Sequence, residues 1–191
     1  MKSPVVFYTE EKVSLEREFT SLKKKIRSIS IVRLLTFFSI CISIYAVIYG
    51  EQKALVATCI GVVFFIVLIV KHTNLQREKA LVKAKLKINN TEIEVLKGNY
   101  YSLDTGEEFK NPAHFYSNDI DLFGTGSFFQ FVNRTATKNG KNRLAFLLLQ
   151  NLINDIKHKQ NAVKELSEKI KWRQHFAALA SLVTVKKDTN T

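Results

Sequence analysis

The sequence predicts a mainly α-helical chain built around a transmembrane helical hairpin with helical extensions, and three observations predict it. Two apolar runs, residues 34–49 and 54–70, stand four residues apart, and between Leu34 and Val70 the only formally charged side chains are Glu51 and Lys53. The segments on either side carry apolar residues at helical spacing among Lys, Arg and Glu. Further along, Ser127 and Thr137 stand as helix caps before short periodic segments.

The chain has 191 residues, 46% hydrophobic and 24% charged, which would support one modest core if the apolar residues were evenly spread. Their concentration in two runs is not the pattern of a soluble core. The competing reading is a buried helical hairpin in a soluble protein. Twenty-nine Lys and Arg against 17 Asp and Glu give a net charge of +12, which attracts anionic lipid, nucleic acid or both. Both cysteines, Cys41 and Cys59, lie inside the apolar runs, so a secreted disulfide framework is not expected and a reduced cytoplasmic setting is the simpler reading. About thirty mostly polar residues precede the first run, whereas a cleavable signal peptide would start nearer the N-terminus.

Residues 1–33 form the first element, a cytoplasmic amphipathic helix. Leu15, Phe19, Leu22, Ile26 and Ile29 recur at spacings of four and three, with Thr9 as its expected N-cap. Residues 34–70 form the membrane hairpin. At ~1.5 Å per residue its two runs span roughly 24–26 Å, just under the ~30 Å hydrocarbon core, and Ile31, Val32, a snorkelling Arg33 and Lys71 make up the difference. Thr36, Ser39, Ser43 and Thr58 are expected to bond their own backbone or bridge the pair. Lys23, Lys24, Lys25, Arg27 and Arg33 precede the hairpin, and Lys71, Arg77, Lys79, Lys83, Lys85 and Lys87 follow it, so the positive-inside rule places both termini in the cytoplasm of a multi-pass protein.

Residues 71–90 continue the second helix as a charged stalk to about Ile88, with Leu75, Val82 and Leu86 on one face. The two extensions pack together or rest their basic stripe on anionic headgroups. Asn89 and Asn90 are expected to break the helix and Thr91 to cap a short one. Residues 91–113 are a linker, and the Gly, Asn, Asp and Tyr of residues 97–126, with Pro112, read as extended loop. In residues 114–191, Ser127 caps a helix to about Arg134 and Thr137 another to about Leu149. A third runs from about Asn154 to Ser181 with Ile156, Ala162, Val163, Leu166, Ile170, Phe176 and Leu179 inward, before a polar tail, VKKDTNT.

No catalytic, cofactor or metal site is expected in this chain. A Walker A loop needs Lys after its second Gly, and Gly124, Gly126 and Ser127 lack it. His72, His114, His158 and His175 lack ligand spacing and read as surface or capping residues. Asp119 and Asp121 invite a metal reading, but two aspartates alternating with apolar residues more often cap helices and pair with Arg or Lys. Asn89-Asn90-Thr91 and Asn133-Arg134-Thr135 match the glycosylation acceptor pattern, which the cytoplasmic placement makes irrelevant. From residue 71 onward, twenty Lys and Arg face twelve Asp and Glu. Arg134, Lys138, Lys141 and Arg143 cluster beside the hydroxyls of Thr135 and Thr137, as phosphate contacts do, although a solvated helix face with one internal salt bridge to Asp119 or Asp121 has the same sequence.

The stretch from Asp119 to Phe123, Gly126-Ser127-Phe128, Asn133-Arg134-Thr135-x-Thr137, Gly140-Lys141, and Gln160-x-Ala162-Val163-x-Glu165-Leu166, in this order, resembles the start of the helical core of the MutS family of DNA mismatch-recognition ATPases. The layout is similar to membrane-anchored bacterial MutS-related proteins, in which a helical hairpin stands before that core. The resemblance covers roughly residues 114–180. It implies that residues 114–191 are the first helices of a MutS-like core domain and that the chain is an N-terminal portion of a longer protein. For a full-length relative it also implies an ATPase domain using ATP and Mg, double-stranded DNA as partner, a homodimer, and a place at the bacterial inner membrane. Lys159 stands where relatives often carry Arg, and the loop before that helix is short and lacks Pro. No Phe-x-Glu wedge matches, so the resemblance does not extend to mismatch reading. The alternative function is a non-catalytic membrane adaptor that binds anionic lipid or a protein partner.

Overall fold

The computed structural model describes residues 3–150 and 154–188, with side chains through Val183 in the second segment. Among them the chain is mainly α-helical and has no strand: α1 Pro4–Ile48, α2 Lys53–Leu96, α3 Phe128–Val132, α4 Lys138–Leu149, α5 Ile156–Glu168 and α6 Ile170–Asp188, with one 3-10 turn at Glu107–Phe109. Two compact units form, Ser14–Lys83 and, separately, Met1–Val13 with Ala84–Thr191.

The first unit is the hairpin. Residues 49–52 join α1 to α2, and Gly50 supplies the left-handed turn at φ 97°. Small and hydroxylated residues set the approach of the two helices. A Cβ on Gly61 would come within 2.9 Å of Ile40 Cγ1, so glycine there lets the backbones close. The hydroxyls of Ser43 and Thr58 lie 2.8 Å apart, each 2.9 Å from the Ala54 carbonyl, and Thr36 donates to Val32 at 2.8 Å. Beyond the apolar runs, Leu15, Leu22 and Ile26 of the expected stripe on α1 and Val82 on α2 are buried, as is Leu68 near the end of the second run. Both helices are long and apolar enough to cross a membrane, with mean hydropathy of 2.2 and 2.7 over their most apolar windows. Only 0% and 6% of those windows is buried within the protein, whereas a soluble core helix covers most of such a surface.

In the second unit several boundaries differ from those expected. Helix α1 begins at Pro4, a residue suited to a first helical turn, so Thr9 is not a cap but an interior residue donating to Val5 O at 2.7 Å. Helix α2 does not break at Asn89. That side chain is fully buried, donates to Lys85 O at 2.9 Å and accepts from Gln174 of α6 at 3.1 Å, and tertiary pairing overrides the weak propensity of Asn90. The helix ends instead at Leu96, where Gly98 at φ 88° lets its N–H reach Val95 O and that of Asn99 reach Glu94 O, both at 2.9 Å. Thr91 accordingly lies within α2.

Residues 97–126 form consecutive turns around the 3-10 segment. The Ser127 and Thr137 caps are as expected: their hydroxyls accept from Gln130 N and Gly140 N at 3.1 Å. The third predicted helix is two, α5 and α6, parted at Lys169 with φ −93° and ψ 49°. The residues expected inward do not face a core: Val163, Leu166, Phe176 and Leu179 are exposed, and among the described side chains of α6 the buried ones are Gln174 and Ala178. The helix surface that contacts α2 is thus set by the Asn89–Gln174 pair, not by the widest apolar stripe. The short loop expected before α5 includes residues 151–153, and the end of the polar tail is residues 189–191; both lie outside the described residues.

Candidate functional site at the α3–α4 junction

The residues between α2 and α4 gather around aromatic rings. Phe109, Phe123 and Phe129 lie with centroids 5.3–5.7 Å apart, Phe129 is wholly buried, and Leu122 and Ala145 complete the core. Gly106 closes over this cluster at φ 65°. A Cβ there would meet Phe129 Cδ1 at 2.6 Å, so both the backbone angle and the close approach require glycine.

Gln130, also wholly buried, ties the turns together. Its Nε2 donates to the carbonyls of Tyr101 at 3.0 Å and Leu103 at 2.7 Å, and its Oε1 accepts from Gly126 N at 2.8 Å. At the far end of α4, Tyr116 donates to Leu148 O at 2.6 Å. His114 Nδ1 accepts from Ser117 N at 3.2 Å, which leaves the proton on Nε2 to cap Leu149 O, also at 3.2 Å.

On this frame Thr135, Thr137, Lys138 and Lys141 line one open cleft of about 690 Å³, together with Leu103, Asp104 and Glu108. Lys141, one helical turn after the Thr137 cap, reaches both Asp104 and Glu108 and sits 5.6 Å from the Phe109 ring centre. Partial burial pushes the Lys141 ammonium down, but its two carboxylate partners outweigh this and raise it above the usual lysine range. Burial likewise pushes Asp104 up, and bonds from Lys141 and the Gly106 N–H overcome it and hold the carboxyl below its ordinary value. The Lys141 bond lowers Glu108.

Arg134 is turned away from the cleft. Its Nε donates to Glu92 of α2 at 2.6 Å, and Nη1 donates to the carbonyls of Phe131 and Asn133 at 2.9 Å. Asn133 Oδ1 accepts from both the N–H and the hydroxyl of Thr135, at 3.0 and 2.7 Å. The Asn133-Arg134-Thr135-x-Thr137 sequence is therefore a self-satisfied turn joining two helices, its hydroxyls already bonded. Arg143 lies over Phe146, 5.0 Å from the ring centre, and Lys138 is exposed.

Asp119 and Asp121 do not take the roles the sequence suggested. They enter no ion pair among the described residues, and Asp121 occupies the left-handed region at φ 47° in the turn before α3. The internal salt bridges fall to Glu92, Asp104 and Glu108, acids not singled out from sequence. The spacing of Asp104 and Glu108, four residues apart before an aromatic cluster, was the available signal. No group of three or more metal-ligating side chains occurs among the described residues. Asn89, within one glycosylation pattern, is inaccessible.

The cleft thus balances two cations, Lys138 and Lys141, against two carboxylates. Lys141 clasps the turn that carries Asp104 and Glu108 to the first turn of α4. Searches against protein-family models, curated proteins and solved structures found no match.

Proposed function

We propose that the chain is the membrane-anchoring portion and the beginning of the core of a MutS-like, DNA-associated ATPase, holding that machine at the inner face of a bacterial cytoplasmic membrane. The observation that carries this reading is that the first motifs of the resembling region, from Asp119 to Lys141, close into one module of two capped helices around Phe129, in a chain that also has two long, apolar and uncovered helices. Basic flanks on both sides of the hairpin support a cytoplasmic location for the module. ATP, Mg and the catalytic groups would belong to sequence beyond Thr191, and a homodimer to the full-length protein.

The clasp sharpens the DNA reading. Arg134 and Lys141 already hold carboxylates, so of the four clustered cations Lys138 and Arg143, the latter lying over Phe146, are those without a carboxylate partner that could meet a duplex. The full chain in neutral-lipid nanodiscs is expected to bind duplex DNA with a salt slope that falls by about one for each phosphate contact removed in Lys138→Ala and Arg143→Ala. A reading frame continuing past Thr191 without a Walker A sequence would sink the ATPase half.

A non-catalytic adaptor is the second reading. It is favoured by the charge balance of the cleft and by the exposed apolar line of Trp172, Phe176 and Leu179 on α6, where the first two rings stack at 5.7 Å. Absence of DNA binding at low salt, with the chain folded and in the bilayer, would decide for it.

A further inference from the structure

The basic residues flanking the hairpin fall into layers. Ser43 with Thr58, Ile40 with Gly61, and Phe37 with Phe65 set the antiparallel register of α1 against α2. Continued outward at ~1.5 Å per residue, that register brings Arg33 level with Leu68 and within roughly 4 Å, along the axis, of Lys71. The same register brings Lys24 level with Arg77, with Lys25 and Arg27 close by. Arg33 and Lys71 each stand one residue outside the apolar runs, and Arg27 and Arg77 each stand seven outside. None of these six cations has a carboxylate partner among the described residues.

At the inner layer α2 carries a surface groove of about 470 Å³. Ile66, Val67 and Val70 form its apolar end, Lys71 and Asn74 follow with Leu75 beside them, and Glu78 stands one turn beyond Asn74. At the edge of the hydrocarbon-length run the apolar lining thus gives way to one that also carries an ammonium, an amide donor and a carboxylate, with Leu75 among them. That order matches a glycerophospholipid: acyl chain, phosphate, and a headgroup bearing hydroxyl donors.

We propose that this collar binds an anionic glycerophospholipid, with its acyl chain along Ile66, Val67 and Val70 and its phosphate at Lys71, Asn74 and Arg33. The proposal rests on the membrane reading above. Glu78, as an acceptor, favours a glycerol headgroup over a bare phosphomonoester, so phosphatidylglycerol is the probe.

The full chain is reconstituted into phosphatidylcholine vesicles containing a minority of phosphatidylglycerol, then re-extracted in mild detergent, and the retained lipid is quantified by mass spectrometry. Wild type is expected to retain phosphatidylglycerol enriched about five-fold over the bulk ratio, the scale of one charge acting near an anionic surface. Arg33→Gln/Lys71→Gln is expected to fall to the bulk ratio, while the charge-matched control Lys157→Gln/Lys159→Gln keeps the enrichment. Equal loss in the control, or full retention in the double variant, overturns the lipid site alone. A chain that does not enter the vesicles overturns the membrane reading and the site with it.

Discussion

Phe129→Ala is expected to lower the stability of the module spanning residues 97–149 by about 3–5 kcal/mol, the range for removing a wholly buried phenyl ring. The ring stands between Phe109 and Phe123 and carries Gly106 against its edge, so its loss opens a cavity that neighbours in tight turns cannot refill. By contrast, ion pairs open to solvent on at least one side contribute on the order of 1 kcal/mol each, so the clasps of Lys141 and Arg134, each partly exposed, orient the module more than they hold it together. Limited proteolysis and thermal unfolding check this: cleavage within residues 97–149 should rise sharply in Phe129→Ala. Phe131→Ala, at a half-exposed ring on the same helix, should stay within about 1 kcal/mol of wild type.

Val63→Arg is the second large effect. Val63 lies near the centre of the apolar run of α2 and is 63% exposed. A charge at a bilayer centre costs about 2.5–3.5 kcal/mol on insertion scales, so the inserted-to-excluded ratio should fall on the order of 100-fold. The carbonate-resistant membrane fraction should collapse for Val63→Arg and stay unchanged for Val63→Leu. If α2 were instead a surface helix in water, arginine at this exposed position would be tolerated.

The hairpin was legible because its signal is one-dimensional: run length, the four-residue connection and flanking charge need no knowledge of partners. The Ser127 and Thr137 caps were legible for a similar reason, since a cap acts within three residues of itself. What sequence could not show depended on distant contacts. Asn89 reads locally as a breaker but is held in α2 by Gln174, eighty-five residues away in the chain. For Lys141 and Arg134 the sequence left phosphate contact and an internal salt bridge to Asp119 or Asp121 both open, and the carboxylates that close on them, Asp104, Glu108 and Glu92, come from other elements. The helix expected from about Asn154 to Ser181 was misread in the other direction. Its apolar periodicity suggested one helix with an inward-facing stripe, yet the segment breaks at Lys169 and leaves most of that stripe uncovered.

The central claim is that α1 and α2 form a membrane hairpin with the folded module on the cytoplasmic side. Single-cysteine mapping tests it most directly, with Cys41 and Cys59 replaced by alanine and one probe placed at Gln52→Cys in the connection or at Ser102→Cys in the module. In intact spheroplasts a membrane-impermeant maleimide should label position 52 and leave position 102 unlabelled until the cells are lysed. Labelling of position 102 in intact spheroplasts, or protection of position 52, would contradict the account.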